Sequence, residues 1–531
     1  MLISTDNRKR NRGRSSAWLA AVPPVLVILG VGIVFAVFAA SKPSVAGDST
    51  ALAKVNMPLG GGKLVSVHAT GPNGRAIPVN FSGNRIVPRI KLKPNERVSI
   101  TAVVSRPGWI GWLAGSRNTE RLTLITPATS LGNRYLTLAS GAPIRLTFSH
   151  PISTFAYGQP GSLKHRTLGP PQMSVTIPRP TLAGTMAIAA APRTWERPST
   201  TFITWFPAGA RTSAVTSPAP GATITSTTPI TLTFSKPYAS VLGGHMPSLS
   251  SNPTGHWTSL DTHTLVFKPS GYGYGLGATV GVGLPSGVQV VGGHPAWTVP
   301  TGASLRVNEI LAQLGYLPLS WAPTSAQIAP TPAAQLHAAI NPPSGQFTWK
   351  YGNTPSSLQG LWDPNHQTVV TQGALMAFEQ DQGMYGTSPG PAQVWHALIA
   401  AAIKGHRSGF GYTYVMVSEA SPESLTLWHS GRTVMTTAVN TGIPGAATAL
   451  GTYPVFEHIT SGTMSGTNPD GSHYSDPGIP WISYFNGGDA LHGFLRGSYG
   501  SPQSLGCVEM PFATAGRVYP YTPIGTLVHV A

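Results

Sequence analysis

A single cysteine, Cys507, occurs in the 531 residues. A thiol with an ordinary pKa of about 8.5 is only a few per cent thiolate at neutral pH, so nucleophilic work needs a base beside it. His492 stands 15 residues earlier, across the Gly-, Ser- and Pro-containing loop Gly493-Phe494-Leu495-Arg496-Gly497-Ser498-Tyr499-Gly500-Ser501-Pro502-Gln503-Ser504-Leu505-Gly506. A loop of that length can fold back and bring the imidazole to the sulfur. Gly506 carries no side chain, so a substrate carbonyl can approach the backbone there, and N–H groups near Gly506 and Cys507 can stabilise a developing oxyanion. Ser504 can hydrogen-bond across the loop or to substrate. Two readings stand at this point: an inert cysteine that packs as a small hydrophobe, and a catalytic thiol. The flanking glycine, the loop before it and the cost of keeping one free thiol in an oxidising compartment favour the second.

That compartment is read from the amino terminus. Residues 17–40, AWLAAVPPVLVILGVGIVFAVFAA, contain no charge and are long enough to span a bilayer as a helix. Arg8, Lys9, Arg10, Arg12 and Arg14 precede them with one acid, Asp6. A cytoplasmic basic tail (1–16), a transmembrane helix (17–40) and an exported remainder follow from that asymmetry. A cleaved signal peptide is the competing reading, although its apolar region is normally about 7–15 residues. The expected location is therefore the cell membrane, single-pass, with the bulk extracytoplasmic.

Composition narrows the fold class. Gly and Pro number 61 and 50, hydrophobic residues make up 41% and charged residues only 10%, against roughly 25% charge in an average domain. The chain can fill cores but cannot surface a solvated helical bundle. The net charge is +17, yet no basic run with interleaved aromatics occurs, so nucleic-acid binding is not expected. A diffuse positive field suits an anionic polymer or surface as well as simple solubility.

The elements predict a mainly β, multidomain chain. Residues 41–60 read as a linker. Period-two runs at Arg97–Val104 and Ile144–Phe148 predict β domains at 61–126 and 127–210. Ile230–Ser235 repeats the pattern, and the strings "GAPIRLTFSHP" and "TPITLTFSKP" imply an internal repeat, with a third β unit at 211–300. Val307, Ile310, Leu311 and Leu314 fall on one helical face. Helix-compatible runs at 373–380 and from Pro391 complete a helical unit at 303–405. Trp349, Tyr351 and Trp362 are candidates for stacking on sugars or for packing. Strands return from 411, with a hairpin across Ser430-Gly431.

Three resemblances attach to these residues. The third β unit resembles bacterial immunoglobulin-like domains. "VNEILAQLGYLP" with "ALMAFEQDQGM" resembles the helical peptidoglycan-binding domain. His492-Gly493, followed by Ser504-Leu505-Gly506-Cys507-Val508-Glu509-Met510, resembles the signature of the L,D-transpeptidase (YkuD) catalytic domain. The upstream segments "YVMVSEASPESLTLWHSGRTVMTTAVNTG", "ALGTYPVFEH" and "IPWISYFNGGDALHGF" extend that likeness over 411–531.

The last resemblance implies a function. Cys507 is then the nucleophile, His492 the general base, and the Gly493 carbonyl the group that orients the imidazole. The thiolate attacks the carbonyl of the third residue of a peptidoglycan stem tetrapeptide and expels the terminal D-alanine. A second stem's amine resolves the thioester as a 3→3 cross-link, and water in its place gives L,D-carboxypeptidase activity. Ser504, Gly506, Tyr484 and Phe485 are candidate substrate-binding residues, and Tyr484 and Phe485, as neighbours on a strand, also read as half core and half pocket wall. Carbapenem acylation, contact with wall glycan and the absence of a cofactor are likewise implied. His256 with His263, and His458 with His473, lack metal-ligand spacing.

The chain departs from the family pattern at Leu505, where many members have His, at Glu509, where many have Arg or Asn, and at Ala449-Leu450, where Thr-Pro is usual. A carboxylate at 509 is expected to raise the thiol pKa. An NlpC/P60-like cysteine peptidase is disfavoured because its Cys precedes its His. A wall-binding scaffold that has lost activity is the non-enzymatic alternative.

Overall fold

The computed structural model describes residues 22–58, 62–250, 252–324 and 326–531. The expected basic tail lies outside the described residues, as do the first residues of the apolar run. What is described of that run is a helix, Val22–Ala40. Among the described residues no helix is long and apolar enough to cross a membrane, so the structure does not support the expected span.

The chain divides into two compact units, Met1–Gly209 and Ala210–Ala531. The first holds two four-stranded sheets and one five-stranded sheet. The strand Arg97–Ser105 buries Val98, Ile100, Ala102 and Val104 while its alternate positions face outward, the period-two pattern of a half-buried strand. The expected linker proves to be partly strand: Ser44–Gly47 pairs with Ala53–Asn56, which pairs with Arg85–Pro88. Its Leu52, Ala53 and Val55 are buried in the same core as Ile86 and Ile100. Small polar residues had hidden a short apolar alternation. Trp195 joins that core from far along the chain, so the division expected at 126/127 is bridged by packing. The five-stranded sheet is covered by the cluster around Leu146, Phe148, Ile188 and Trp205.

The second unit begins with a five-stranded sheet in the order Gly255–Asp261, Thr264–Pro269, Ile230–Phe234, Thr212–Ser217, Val288–Val290. The repeated string behaves alike in both units: Ile144, Leu146 and Phe148 are buried in one, Ile230, Leu232 and Phe234 in the other. Helices follow at Ser304–Leu314, Pro332–Ile340, Val369–Asp381 and Pro391–Lys404. The first stops at Gly315, whose φ of 86° is left-handed, a conformation glycine adopts without steric cost. One hydrophobic cluster runs from Ala214 and Leu232 through Ile310, Phe378 and Leu398 to Tyr414 and Leu527. The helical segment expected as a separate domain thus shares its core with the sheets before and after it. Trp349, Tyr351 and Trp362 pack against this cluster, Tyr351 edge-to-face on Trp428 at 5.4 Å and Trp362 on Phe347 at 5.2 Å.

The last 120 residues form two sheets. One runs Arg432–Ala438, Ser424–His429, Thr413–Ser418, Leu527–Val530, Gly451–Pro454, and the other Glu457–Thr467, His473–Asn486, Asp489–Gly493, Val508–Met510. Val415, Leu427, Phe485, Leu491, Val508 and Val528 from both sheets make one core.

Truncating Leu232 in the repeated string leaves a cavity under a fully buried strand. Leu232→Ala is expected to lower stability by about 2–5 kcal/mol, and Thr231→Ala, on the same strand, by well under half of that. Urea unfolding of both variants checks the difference.

Candidate functional site

Two adjacent parallel strands create the site. Asp489–Gly493 pairs with Val508–Met510 so that His492 lies opposite Glu509, and Cys507 immediately precedes the second strand. Parallel neighbours run about 4.8 Å apart, so residues distant in the chain become lateral neighbours. A parallel pair needs a crossover of about a dozen residues or more, and 494–506 supplies it without a helix.

That crossover is held by hydrogen bonds from residues 440–443. Asn440 is fully buried. Its Oδ1 accepts from the Gly500 N–H at 3.0 Å, and its Nδ2 donates to the Ser498 carbonyl at 3.0 Å. The Asn440 backbone exchanges two hydrogen bonds of 2.9 Å with Glu509. Gln503 N–H and Ser504 N–H both donate to the Thr441 carbonyl, and Ile443 N–H to the Ser504 carbonyl. Glu423, also buried, accepts from Thr441 N–H at 2.7 Å and Thr441 Oγ1 at 2.8 Å. These groups stabilise a loop that carries little apolar surface of its own.

His492 is 2% exposed. Its Nδ1 lies 3.0 Å from the Gly493 carbonyl oxygen. A proton on Nδ1 satisfies that contact and leaves Nε2 with a lone pair. Burial holds the imidazole pKa below its usual 6.5 against the Gly493 carbonyl and Glu509, which favour the cation. The ring is therefore neutral at pH 7, the state a base requires.

Cys507 is half-buried, and its Sγ contacts the Gly488 carbonyl oxygen at 3.6 Å. Among the described residues no hydrogen bond joins the sulfur to His492. Burial pushes the thiol up to about 12, Asp489 and Glu509 push the same way, and the Ala490 backbone N–H opposes them. The expected effect of the carboxylate at 509 is thus present, but Glu509 is also neutralised. Arg496 Nε donates to Glu509 Oε2 at 2.7 Å and Arg496 Nη2 to Oε1 at 2.8 Å. Such a two-pronged pair fixes both side chains, and Arg496 Nη2 also reaches the Gln503 carbonyl at 2.9 Å. Asp489 has no cationic partner among the described residues, and its Oδ2 accepts from the Ala449 N–H and Asn486 Nδ2, both at 3.2 Å.

A cavity of about 550 Å³ opens over these groups, lined by Cys507, His492, Tyr484, Asp489, Arg496, Glu509 and Leu505 among others. That volume suits a peptide-sized ligand. The remaining expected site residues separate. Tyr484 lines the cavity, whereas Phe485 is 2% exposed and belongs to the core behind it. This corrects the substrate-binding expectation for Phe485: successive strand residues face opposite sides. Ser504 is also corrected. It is 1% exposed, and its Oγ donates to the Cys507 carbonyl at 2.5 Å, which braces the loop and leaves the hydroxyl no reach into the cavity. Gly506 has a φ of 110°, and a Cβ there would stand 2.5 Å from Asp489 Oδ1, so glycine is required by both backbone and neighbour. Arg496, Asn440 and Glu423 carry no sequence signal because their partners lie 13 to 60 residues away, and Asp489 shows its role only through its place beside Gly506 and the sulfur. Among the described residues no group of three His, Cys, Asp or Glu side chains is placed to hold a metal ion.

Comparison with known proteins places this half-sheet geometry in context. Residues 412–530 match the YkuD family, described as L,D-transpeptidase catalytic domain. No curated protein matches the chain. Similar solved structures include an L,D-transpeptidase from Mycobacterium smegmatis, 11% identical, covering 60% of this chain and 96% of that one with a TM-score of 0.21. Another is the catalytic domain of the Enterococcus faecium L,D-transpeptidase, 23% identical, covering 23% of this chain and 100% of that one with a TM-score of 0.21. A third is L,D-transpeptidase 3 from Mycobacterium tuberculosis in complex with a faropenem-derived adduct, 12% identical, covering 59% and 96% with a TM-score of 0.20.

Because Asp489 raises the thiol pKa through its charge, Asp489→Asn is expected to lower it. The pH midpoint of Cys507 alkylation by iodoacetamide should move down. An unchanged midpoint would mean that the Asp489 charge does not act on the thiol.

Proposed function

We propose that this protein is a peptidoglycan L,D-transpeptidase that forms 3→3 cross-links through a thioester on Cys507, with His492 as general base. The observation that carries the reading is that His492, on one of two paired parallel strands, and Cys507, the residue that leads into the other, line one cavity, within the segment that matches the L,D-transpeptidase catalytic domain.

In this mechanism a stem tetrapeptide enters the cavity and its scissile carbonyl approaches Cys507. Neutral His492 takes the thiol proton, and the Gly493 carbonyl, already 3.0 Å from Nδ1, stabilises the imidazolium that forms. Attack builds a tetrahedral centre whose oxyanion is held by backbone N–H groups beside Gly506 and Cys507. The imidazolium protonates the departing D-alanine amine. The acyl group now sits on sulfur until a second stem's amine, or water, resolves it. Burial holds the free thiol protonated, so the proton leaves for the His492 imidazole in the attack itself and no standing thiolate is required. An extracytoplasmic position, with the apolar run of residues 17–40 as membrane anchor, belongs to the same proposal and is supported by the uncharged sequence of that run.

One observation favours a second reading, a catalytically silent wall-binding protein: the sulfur contacts the Gly488 carbonyl and is not hydrogen-bonded to His492. Incubation with a carbapenem separates the two. The transpeptidase reading expects a single covalent adduct by intact mass, lost in Cys507→Ala, and conversion of stem tetrapeptide to a cross-linked dimer with loss of activity of at least about 10³-fold in that variant. An unmodified chain and an untouched tetrapeptide would support the silent reading.

The pH dependence gives a further check. His492 must be neutral to accept the proton, and burial holds its pKa below 6.5. Acylation is expected to fall only below that pH and to be level from about pH 7 to 9. A rate climbing tenfold per pH unit across that range would mean attack by free thiolate without the imidazole.

A further inference from the structure

In the first unit the strands Arg97–Ser105 and Arg117–Ile125 pair along their whole length. Their connection is not a tight turn but a short helix, Gly108–Ala114, with the sequence GWIGWLA. Trp109 is 55% exposed and Trp112 is 80% exposed. Trp112 Nε1 donates to the Trp109 carbonyl at 3.0 Å, so its one polar atom is satisfied inside the loop and its ring face is left to the surroundings. Two exposed tryptophans within four residues are costly in water and mark an interaction surface.

Cations ring the base of this loop. The register places Lys63 and Arg117 on either side of Ser105, and Arg106 follows it. The Arg106 guanidinium lies over the Phe38 ring at 5.9 Å, which brings the loop to the end of the apolar helix Val22–Ala40. That helix itself exposes Val31, Ile33, Val34 and Phe35. The charge around them is lopsided: residues 22–209 hold 19 Lys and Arg against 4 Asp and Glu, whereas 210–531 hold 10 against 12. Of those four acids, Asp48, Glu96 and Glu196 are each paired with an arginine of the same unit.

Aromatic rings with one polar edge, beside an apolar helix and above a collar of cations, have the chemistry of the boundary between lipid tails and anionic headgroups. We propose that the loop Gly108–Ala114 is a membrane-docking element: Trp109 and Trp112 sit at the headgroup level of an anionic lipid bilayer, and Lys63, Arg106 and Arg117 face the phosphates. A protein groove would accept the rings but offers no reason for the unit's positive excess, so the bilayer is the occupant the charges favour. The inference concerns the first unit and stands apart from the chemistry at Cys507.

The test uses the full chain with vesicles of equal phosphatidylglycerol and phosphatidylcholine that carry a spin-labelled quenching lipid. The emission lost on going from the parent chain to Trp109→Phe/Trp112→Phe isolates these two rings from the other tryptophans. That difference signal is expected to be quenched by more than half in anionic vesicles and much less in pure phosphatidylcholine. Lys63→Gln/Arg117→Gln is expected to bring the quenching of these rings in anionic vesicles down toward the level seen in pure phosphatidylcholine, since each cation near an anionic surface adds to the attraction. Matching circular dichroism spectra, and Trp112→Phe alone as a second variant, guard against misfolding. Unquenched rings on a chain that floats with the vesicles, or no partition at all, would overturn the proposal. A concentration-dependent dimer lost in the double variant, with no quenching, would overturn it in favour of a second copy of the chain as occupant.

Discussion

The site depends on one backbone interaction: the parallel pairing of Asp489–Gly493 with Val508–Met510. Nothing in the side chains alone would bring a histidine and a cysteine 15 residues apart into one cavity. The ladder does so by setting Glu509 opposite His492 and Cys507 two residues before it, and Leu491, Val508 and Met510, all buried, lock it to the core on the other face. The crossover between the strands must then be stabilised by polar contacts, since it is mostly Gly, Ser and Pro. Asn440, Thr441 and the Arg496–Glu509 pair provide them.

Electrostatics in the cavity pull in opposite directions. Burial keeps His492 neutral and so competent as a base, yet the same burial keeps Cys507 protonated. An acid at 509 in isolation would worsen the second effect. Its two-pronged bond to Arg496 turns it into a structural group, so the departure from the usual Arg or Asn is compensated by a cation 13 residues earlier. Asp489 has no such partner among the described residues, and its charge acts on the sulfur together with that of Glu509.

Much of this was legible in the sequence, and the rest was hidden for identifiable reasons. Local periodicity found the strands around Ile100, Leu146 and Leu232 and the helix ending at Leu314, because each has a buried face with its own period. It could not show that the helices after Ser304 share a core with the strands before and after them, since an apolar stripe does not name its partner. It treated 41–60 as linker because two four-residue strands are too short for a period to register. At the site, Cys507 and His492 stood out by type and spacing, whereas Asn440 and Glu423 looked like ordinary polar residues until long-range pairing gave them partners. Ser504 could bond across the loop or to substrate, and it does the first; of the strand neighbours Tyr484 and Phe485, alternation puts the first on the cavity and the second in the core.

The central claim is that Cys507, assisted by His492, takes up an acyl group from a wall peptide. Rapid-quench measurement of D-alanine release from a stem tetrapeptide at pH 7, with peptide mapping of the quenched protein, tests it most directly. The account predicts a burst of one equivalent per chain and the tripeptide acyl group on Cys507. No burst, or a burst with the acyl group elsewhere, would contradict it.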